Sequence, residues 1–357
     1  MRCLAFIMLL PIALSWSPHA MAQDISLGVA APLSGGFATL GRQMLNGART
    51  AAASQDMPGA IVEADTACSA EGGAQAARML IEREVDVVVG FLCTDAVESA
   101  LPLFKEAGIP VVTPGVRTAT LTDQRERTGW PIFRIAPRAD AERDAVATLL
   151  VDHWRRDFFA IVDDGTIYGR ELAETLRAAA ELNELKPVYV DTFRPQLDNQ
   201  IGLAGRLRRA GATHAFVGGD RSDIAILSRD ARGMDYALVL AGGEALRAED
   251  SAVPLATGTL MVGLPRWADI ASDNALKALA DAEIEPNGYV LPGLAAAQIA
   301  IAAARAAASA GSSIGETLSS GSFATAIGDI SFDAKGDATV EFYRLFRFDG
   351  ETFVEVE

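Results

Sequence analysis

Cys68 and Cys93 are the pair of residues in this chain whose type and spacing say most about chemistry. Each sits just past an apolar run of strand character, residues 61–66 before the first and 87–91 before the second. The remaining cysteine, Cys3, falls in a stretch that reads as a leader, and an even count in an exported chain reads as a disulfide. Closing a loop of this length would stabilise the fold by roughly 3–4 kcal/mol on the chain-entropy account. Thr94 follows Cys93 and opens a helical pattern, so a hydroxyl and free backbone N–H groups meet at one helix start. That is a natural seat for a carboxylate, with simple helix capping as the plain alternative.

Other reactive-looking motifs lack the parts their chemistry needs. Gly36-Phe37-Ala38-Thr39-Leu40-Gly41-Arg42 imitates a phosphate loop but ends in Arg rather than Lys-Ser/Thr. Gly311-Ser312-Ser313-Ile314-Gly315 matches a hydrolase elbow in letters, yet it follows a helical pattern and no histidine comes after it. His153 and His214 have no cysteine or histidine at ligand spacing, so neither a metal site nor a cofactor is expected. Asp333-Ala334-Lys335-Gly336-Asp337 lacks the closing glutamate of a calcium loop and reads as a hairpin turn joining strands at 330–332 and 340–348.

The formal charge of −16 argues against nucleic acid and against anionic membrane surfaces as partners. Met1-Arg2, an apolar stretch, then Ala20-Met21-Ala22 read as a signal peptide over 1–22, with Gln23 as the mature start. The expected compartment is the periplasm. Residues 291–310 come closest to a membrane span, but Pro292, Gln298 and Arg305 make a buried helix the better reading.

Strand-length apolar runs alternate with helical periodicities along the chain. This predicts an α/β fold with parallel sheets covered by helices on both faces, and ligands beyond the carboxyl ends of the strands. There are too many strands for one sheet, and the order starts afresh near Arg138–Asp140. Two doubly wound lobes are therefore expected.

The residues that follow the strands carry a resemblance. Ala31-Pro32-Leu33-Ser34-Gly35-Gly36 with Gly41 and Asn46-Gly47-Ala48-Arg49 opens it. The Cys68/Cys93 spacing, Gly90-Phe91-Leu92-Cys93-Thr94 and Pro110-Val111-Val112-Thr113-Pro114-Gly115 follow. Tyr168-Gly169, Gly218-Gly219, Gly242-Gly243-Glu244 and Gly288-Tyr289-Val290 complete it. In this order they resemble the type I periplasmic solute-binding proteins of ABC importers, and within them the leucine/isoleucine/valine-binding group.

The resemblance implies two lobes joined by a three-segment hinge, residues 23–138 plus 268–340 and residues 139–267 plus 341–357. It implies a non-enzymatic receptor, usually a monomer, that delivers an amino acid or related polar metabolite to ABC permease subunits in the inner membrane. The alternative is a sensor presenting its ligand to a membrane receptor. Thr94, with Leu92, Cys93 and Gly115 in the neighbouring loops, matches the carboxylate site; Glu244 matches the acid that pairs a ligand ammonium. Tyr168 and Tyr289 match cleft walls. Three positions depart from the group's pattern: Arg117 replaces a threonine, Asp220 a tyrosine and Leu40 an aromatic. Arg117 could take a ligand carboxylate or a second acidic group, and Asp220 a distal amine or hydroxyl. Alternatively the two pair with each other as a latch across the cleft.

Overall fold

The computed structural model describes residues 25–57, 59–249 and 251–356; the leader read at 1–22 lies outside them. β-Branched runs such as Val87–Val89 and Val111–Val112 become strands because they suit a pleated surface, here buried on both sides. β1 (Leu27–Ala31), β2 (Ile61–Asp65), β3 (Val87–Gly90), β4 (Val111–Thr113) and β5 (Ile132–Arg134) form a parallel sheet in the order β2-β1-β3-β4-β5. β6 (Phe159–Asp163), β7 (Tyr189–Thr192), β8 (His214–Gly218), β9 (Val239–Gly242) and β10 (Leu260–Gly263) repeat that winding as β7-β6-β8-β9-β10. β11 (Ser322–Thr325) and β12 (Gly328–Ser331) form a separate antiparallel pair. β13 (Arg344–Phe348) and β14 (Phe353–Glu355) extend the second sheet, β13 lying antiparallel to β10. The expected two doubly wound lobes are present. Each reverses its strand order beside its own first strand, at β1/β3 and at β6/β8, where such sheets open a crevice.

Each sheet carries an apolar core on both faces. Helices Ala38–Ala53 and Val290–Ala310 cover one face of the first sheet, and helices Ala70–Glu82 and Thr94–Ala107 the other. Ala141–His153 with Ile167–Leu182, and Ile201–Ala210 with Arg221–Gly233, do the same for the second. The alanine-rich helix Val290–Ala310 is mostly buried, as expected, and its Pro292 sits in the first turn, where no N–H is missed. It lies so close to Ala38–Ala53 that a Cβ at Gly47 would come within 1.9 Å of the Val290 carbonyl oxygen.

The tail corrects one expectation. Segments 330–332 and 340–348 do not form a hairpin about the Asp333–Asp337 turn. The turn closes on itself, with Asp333 N donating to Asp337 O at 2.8 Å, and the pairing across it is short, a Phe332–Ala338 bridge and Thr339 N donating to Ser331 O at 3.0 Å. β12 pairs with β11, and β13 goes to the other sheet. A chain that changes lobes between two neighbouring strands overrides the usual pairing of sequence neighbours.

A buried ionic cluster ties this turn to the end of β5. Arg134, fully buried, donates to Asp337 from Nε at 2.8 Å and makes a 2.6 Å ion pair with it through Nη2. It also donates to the Thr118 carbonyl and the Thr122 hydroxyl, each at 2.6 Å. Arg138 adds contacts to Asp337 at 3.1 Å, Asp123 at 3.0 Å and Asp140 at 2.8 Å. The cluster joins the stretch leaving the first sheet to the stretch preceding the last return.

Candidate functional site

The loop after β3 owes its shape to two unusual backbone conformations. Gly90 has φ +119° and the buried Phe91 φ +62°, and Phe91 N donates to Ala30 O at 2.6 Å. This left-handed kink turns the chain out of the sheet and delivers Leu92, Cys93 and Thr94 to its edge. Cys68 and Cys93 are joined in a disulfide with Cα atoms 5.3 Å apart, within the ordinary span. Cys93, not Thr94, is the N-cap of helix Thr94–Ala107. The Thr94 hydroxyl instead meets the Thr118 hydroxyl at 2.7 Å, next door to Arg117. Gly115 is pinned against the same loop, since a Cβ there would lie 2.7 Å from the Phe91 carbonyl oxygen and 3.1 Å from the Leu92 side chain.

Opposite, on the second lobe, Glu142 organises two of the expected residues. It lies in the first turn of helix Ala141–His153 and is buried. Its Oε1 accepts from the Tyr168 hydroxyl at 2.6 Å and from the Glu244 backbone N–H at 2.7 Å. Residue 243 must be glycine for this arrangement: a Cβ would sit 2.4 Å from Glu142 Oε1 and 2.5 Å from Tyr168 Oη. Burial pushes the Glu142 carboxyl above its usual range, partly opposed by these hydrogen bonds. Burial, reinforced by the Glu142 charge, also pushes the Tyr168 phenol up, so it stays a donor.

Arg117 crosses between the two groups. Its Nε donates to the Pro137 carbonyl at 3.1 Å and its Nη2 to Tyr343 Oη at 2.5 Å. Nη1 stands 3.7 Å from Glu244 Oε2, and the Tyr343 hydroxyl makes a long bond of 3.4 Å to the same oxygen. Burial works against the Arg117 charge, but Tyr343 and Glu244 outweigh it and raise its pKa. Burial, with the Glu244 charge, keeps the Tyr343 phenol protonated. The acid that the resemblance offers to a ligand ammonium thus already has a cation beside it.

A cavity of about 540 Å³ opens beside Arg117, walled by Ile135, Leu264, Trp267, Tyr289 and Pro292. Trp267 is steadied by an edge contact with Phe342 at 5.1 Å. The structure therefore brings Arg117 and Tyr289 to one cavity, Thr94, Cys93, Leu92 and Gly115 to the loops beside it, and Tyr168 with Glu244 to the far side of Arg117. It does not bring Arg117 to Asp220. Asp220 is the exposed N-cap residue of helix Arg221–Gly233, at the β6/β8 crevice of the second lobe. Leu40 is half-buried in the first turn of helix Ala38–Ala53 and does not line the cavity. Ser313 of the false hydrolase elbow is a helix cap that accepts from Glu316 N at 3.2 Å. Among the described residues no group of three or more His, Cys, Asp or Glu side chains is placed to hold a metal ion.

Sequence reasoning missed Glu142 and Tyr343. An acid in a first helical turn ordinarily faces solvent and favours the helix dipole, so nothing local marks Glu142 as buried. Tyr343 reaches the site from the tail, after the last change of lobe. The only sequence cue was the run of aromatics, Phe342-Tyr343, just where the lobe boundary was expected.

Two wound lobes facing each other across polar loops define a ligand-binding receptor of the hinged, two-lobed kind. A family model described as periplasmic binding protein matches residues 24–352, and the chain belongs to that family, within its leucine/isoleucine/valine-binding group. The chain is 28% identical over 340 residues to the Leu/Ile/Val-binding protein homolog 2 of Brucella abortus, covering 91% of this chain and 90% of that one. It is 27% identical over 342 residues to the leucine-specific-binding protein of Salmonella typhimurium, covering 91% of each. Its fold matches the crystal structure of a putative branched-chain amino acid ABC transporter from Rhodospirillum rubrum, with TM-score 0.76 and 19% identity over 93% of this chain and 100% of that one. These relatives are binding proteins rather than enzymes, and so is this chain.

Proposed function

We propose that this protein is the periplasmic substrate-binding component of an ABC importer, capturing an amino acid or a related polar metabolite between its lobes and handing it to the permease. The observation that carries the reading is the convergence of Arg117 from one lobe with Glu244 and Tyr343 from the other, beside a cavity of about 540 Å³. Loops beyond the carboxyl ends of two opposed sheets meet there, which is where such sheets bind ligands. The relatives' names, which specify leucine, isoleucine and valine, support the amino-acid-like class.

In this reading the lobes are 23–138 plus 268–340 and 139–267 plus 341–357, and the signal peptide over 1–22 is removed on export. Thr94, Arg117 and Tyr289 contact the ligand from the first lobe, and Tyr168 and Glu244 complete the wall from the second. Ligand binds one lobe, the second closes over it, and the closed monomer docks on the permease. The test is mass spectrometry of small molecules that co-purify with the native protein, followed by a thermal-shift panel on stripped protein. A single ligand class that both co-purifies and raises the melting temperature is expected. A protein that carries nothing and responds to no solute contradicts the reading.

A further inference from the structure

The cavity and the acidic side of the site are separated by Arg117. The charged residues lining the cavity are Arg117, Arg266 and Asp269. Arg266 and Asp269 are exposed at its rim and bonded to each other at 2.8 Å and 3.1 Å. Neither Glu244 nor Glu142 lines it. The cavity therefore presents one guanidinium, held by Pro137, Tyr343 and Glu244, with a tyrosine and apolar walls, and the carboxylate among its lining residues, Asp269, is bonded to Arg266. Glu244 is flanked by Arg117 at 3.7 Å and accepts from Tyr343 at 3.4 Å and from the Leu264 N–H at 3.4 Å.

From this geometry we infer that the cavity selects a small monocarboxylate with an apolar or aromatic body and no α-amino group. The inference rests on the solute-binding reading and narrows its ligand class. Arg117 carries the ligand carboxylate as a fork-shaped, always-charged donor. Pro137 and Tyr343 hold the guanidinium in place from behind. Ile135, Trp267 and Pro292 receive the apolar body. An α-ammonium would stand next to that carboxylate, and so next to Arg117, where like charges repel. To reach Glu244 it would have to pass the guanidinium, which lines the cavity and stands 3.7 Å from that acid. Glu244 is thus a positioning residue for Arg117 rather than the receptor for a ligand amine.

The test is isothermal titration of stripped protein with two matched pairs, 3-phenylpropanoate against L-phenylalanine and 4-methylpentanoate against L-leucine. Each pair differs only in the amine. In at least one pair the acid without the amine should bind about tenfold or more tighter, the scale of one charge-assisted contact. Arg117→Met should weaken that acid by about tenfold or more while the circular dichroism and melting temperature hold. Glu244→Gln, which keeps a partner of the same shape beside Arg117 but removes its charge, should weaken the acid less than Arg117→Met does. An amino acid that binds as tightly as its partner overturns the inference and leaves the importer reading standing. A loss in Glu244→Gln as large as that in Arg117→Met also overturns it. Silence of all four compounds overturns it as well, and the importer reading then stands or falls separately on whether native protein carries a co-purified solute.

Discussion

Two arginine–carboxylate contacts in this molecule look alike in composition and differ in everything else. Arg134 meets Asp337 at 2.6 Å, with the arginine wholly buried and its remaining donors taken by Thr118 and Thr122. Arg117 meets Glu244 at 3.7 Å, with side chains 35% and 25% exposed. The first is saturated and closed to water, so nothing can exchange into it. The second is loose, reachable and set beside a cavity of about 540 Å³, so a ligand group can approach it. Saturation and access, more than residue type, separate an ion pair that holds structure from one that can do work.

The sharpest break of this contrast is Arg134→Met. Removing the buried arginine leaves Asp337 with Arg138 alone as its cation at 3.1 Å, at a cost of up to about 3–5 kcal/mol. Urea unfolding should show it, and a loss below about 1 kcal/mol would put the two contacts in one class. Next comes the Cys68→Ser/Cys93→Ser double variant, expected to lose roughly 3–4 kcal/mol by freeing the loop. If the bond also braces Thr94 against Thr118, ligand affinity should fall with it; an unchanged affinity would make the bond a staple only.

Glu142→Gln should be close to neutral or stabilising by about 1 kcal/mol at neutral pH, because Gln Oε1 still accepts both hydrogen bonds without a buried charge. The sign follows from linkage. The folded-state carboxyl titrates above the unfolded one, so the native state binds the extra proton and wild-type stability falls as pH rises from the usual Glu range through the raised value. The Gln variant should lose that slope. In the ionic cluster around Arg138 the sign reverses. Hydrogen bonds from Arg138 and Lys335 hold Asp123 well below the usual carboxylate range, and Arg138 does the same for Asp140. Their contribution is complete above the ordinary Asp value and is lost as pH falls below it. Smallest of all, Glu244→Gln should cost less than about 1 kcal/mol of stability, since partly exposed pairs contribute little. A larger loss by thermal unfolding would mean that the cleft contact is structural after all.

Much of the fold was legible because alternation of strand and helix periods is a local property. The first sheet's strands and the loops after them appear where the apolar runs and glycines put them. What was not legible is what arrives from elsewhere in the chain. Asp337 lies 203 residues from its partner Arg134, and Tyr343 lies 226 from Arg117. No window of sequence contains such a pairing. Arg117 and Asp220 were read together as two odd charges facing one cleft. The three-dimensional arrangement gives Arg117 nearer partners, while Asp220 stands at the N-terminal end of a helix at the other lobe's crevice. The tail hairpin failed for the same reason, since proximity in sequence lost to a change of lobe.

Helix Val290–Ala310 has a consequence for how this chain comes to be folded at all. It seals a face of the sheet that ends at Arg134, yet β6 to β10 of the other lobe lie between them in sequence. During synthesis the first five strands are complete long before their cover exists. The parallel part of the second sheet is one uninterrupted stretch and can form without waiting. The earlier half of the protein should thus be the later half to fold. Pulse-labelled hydrogen exchange during refolding should protect β6 and β8 before β1 and β3.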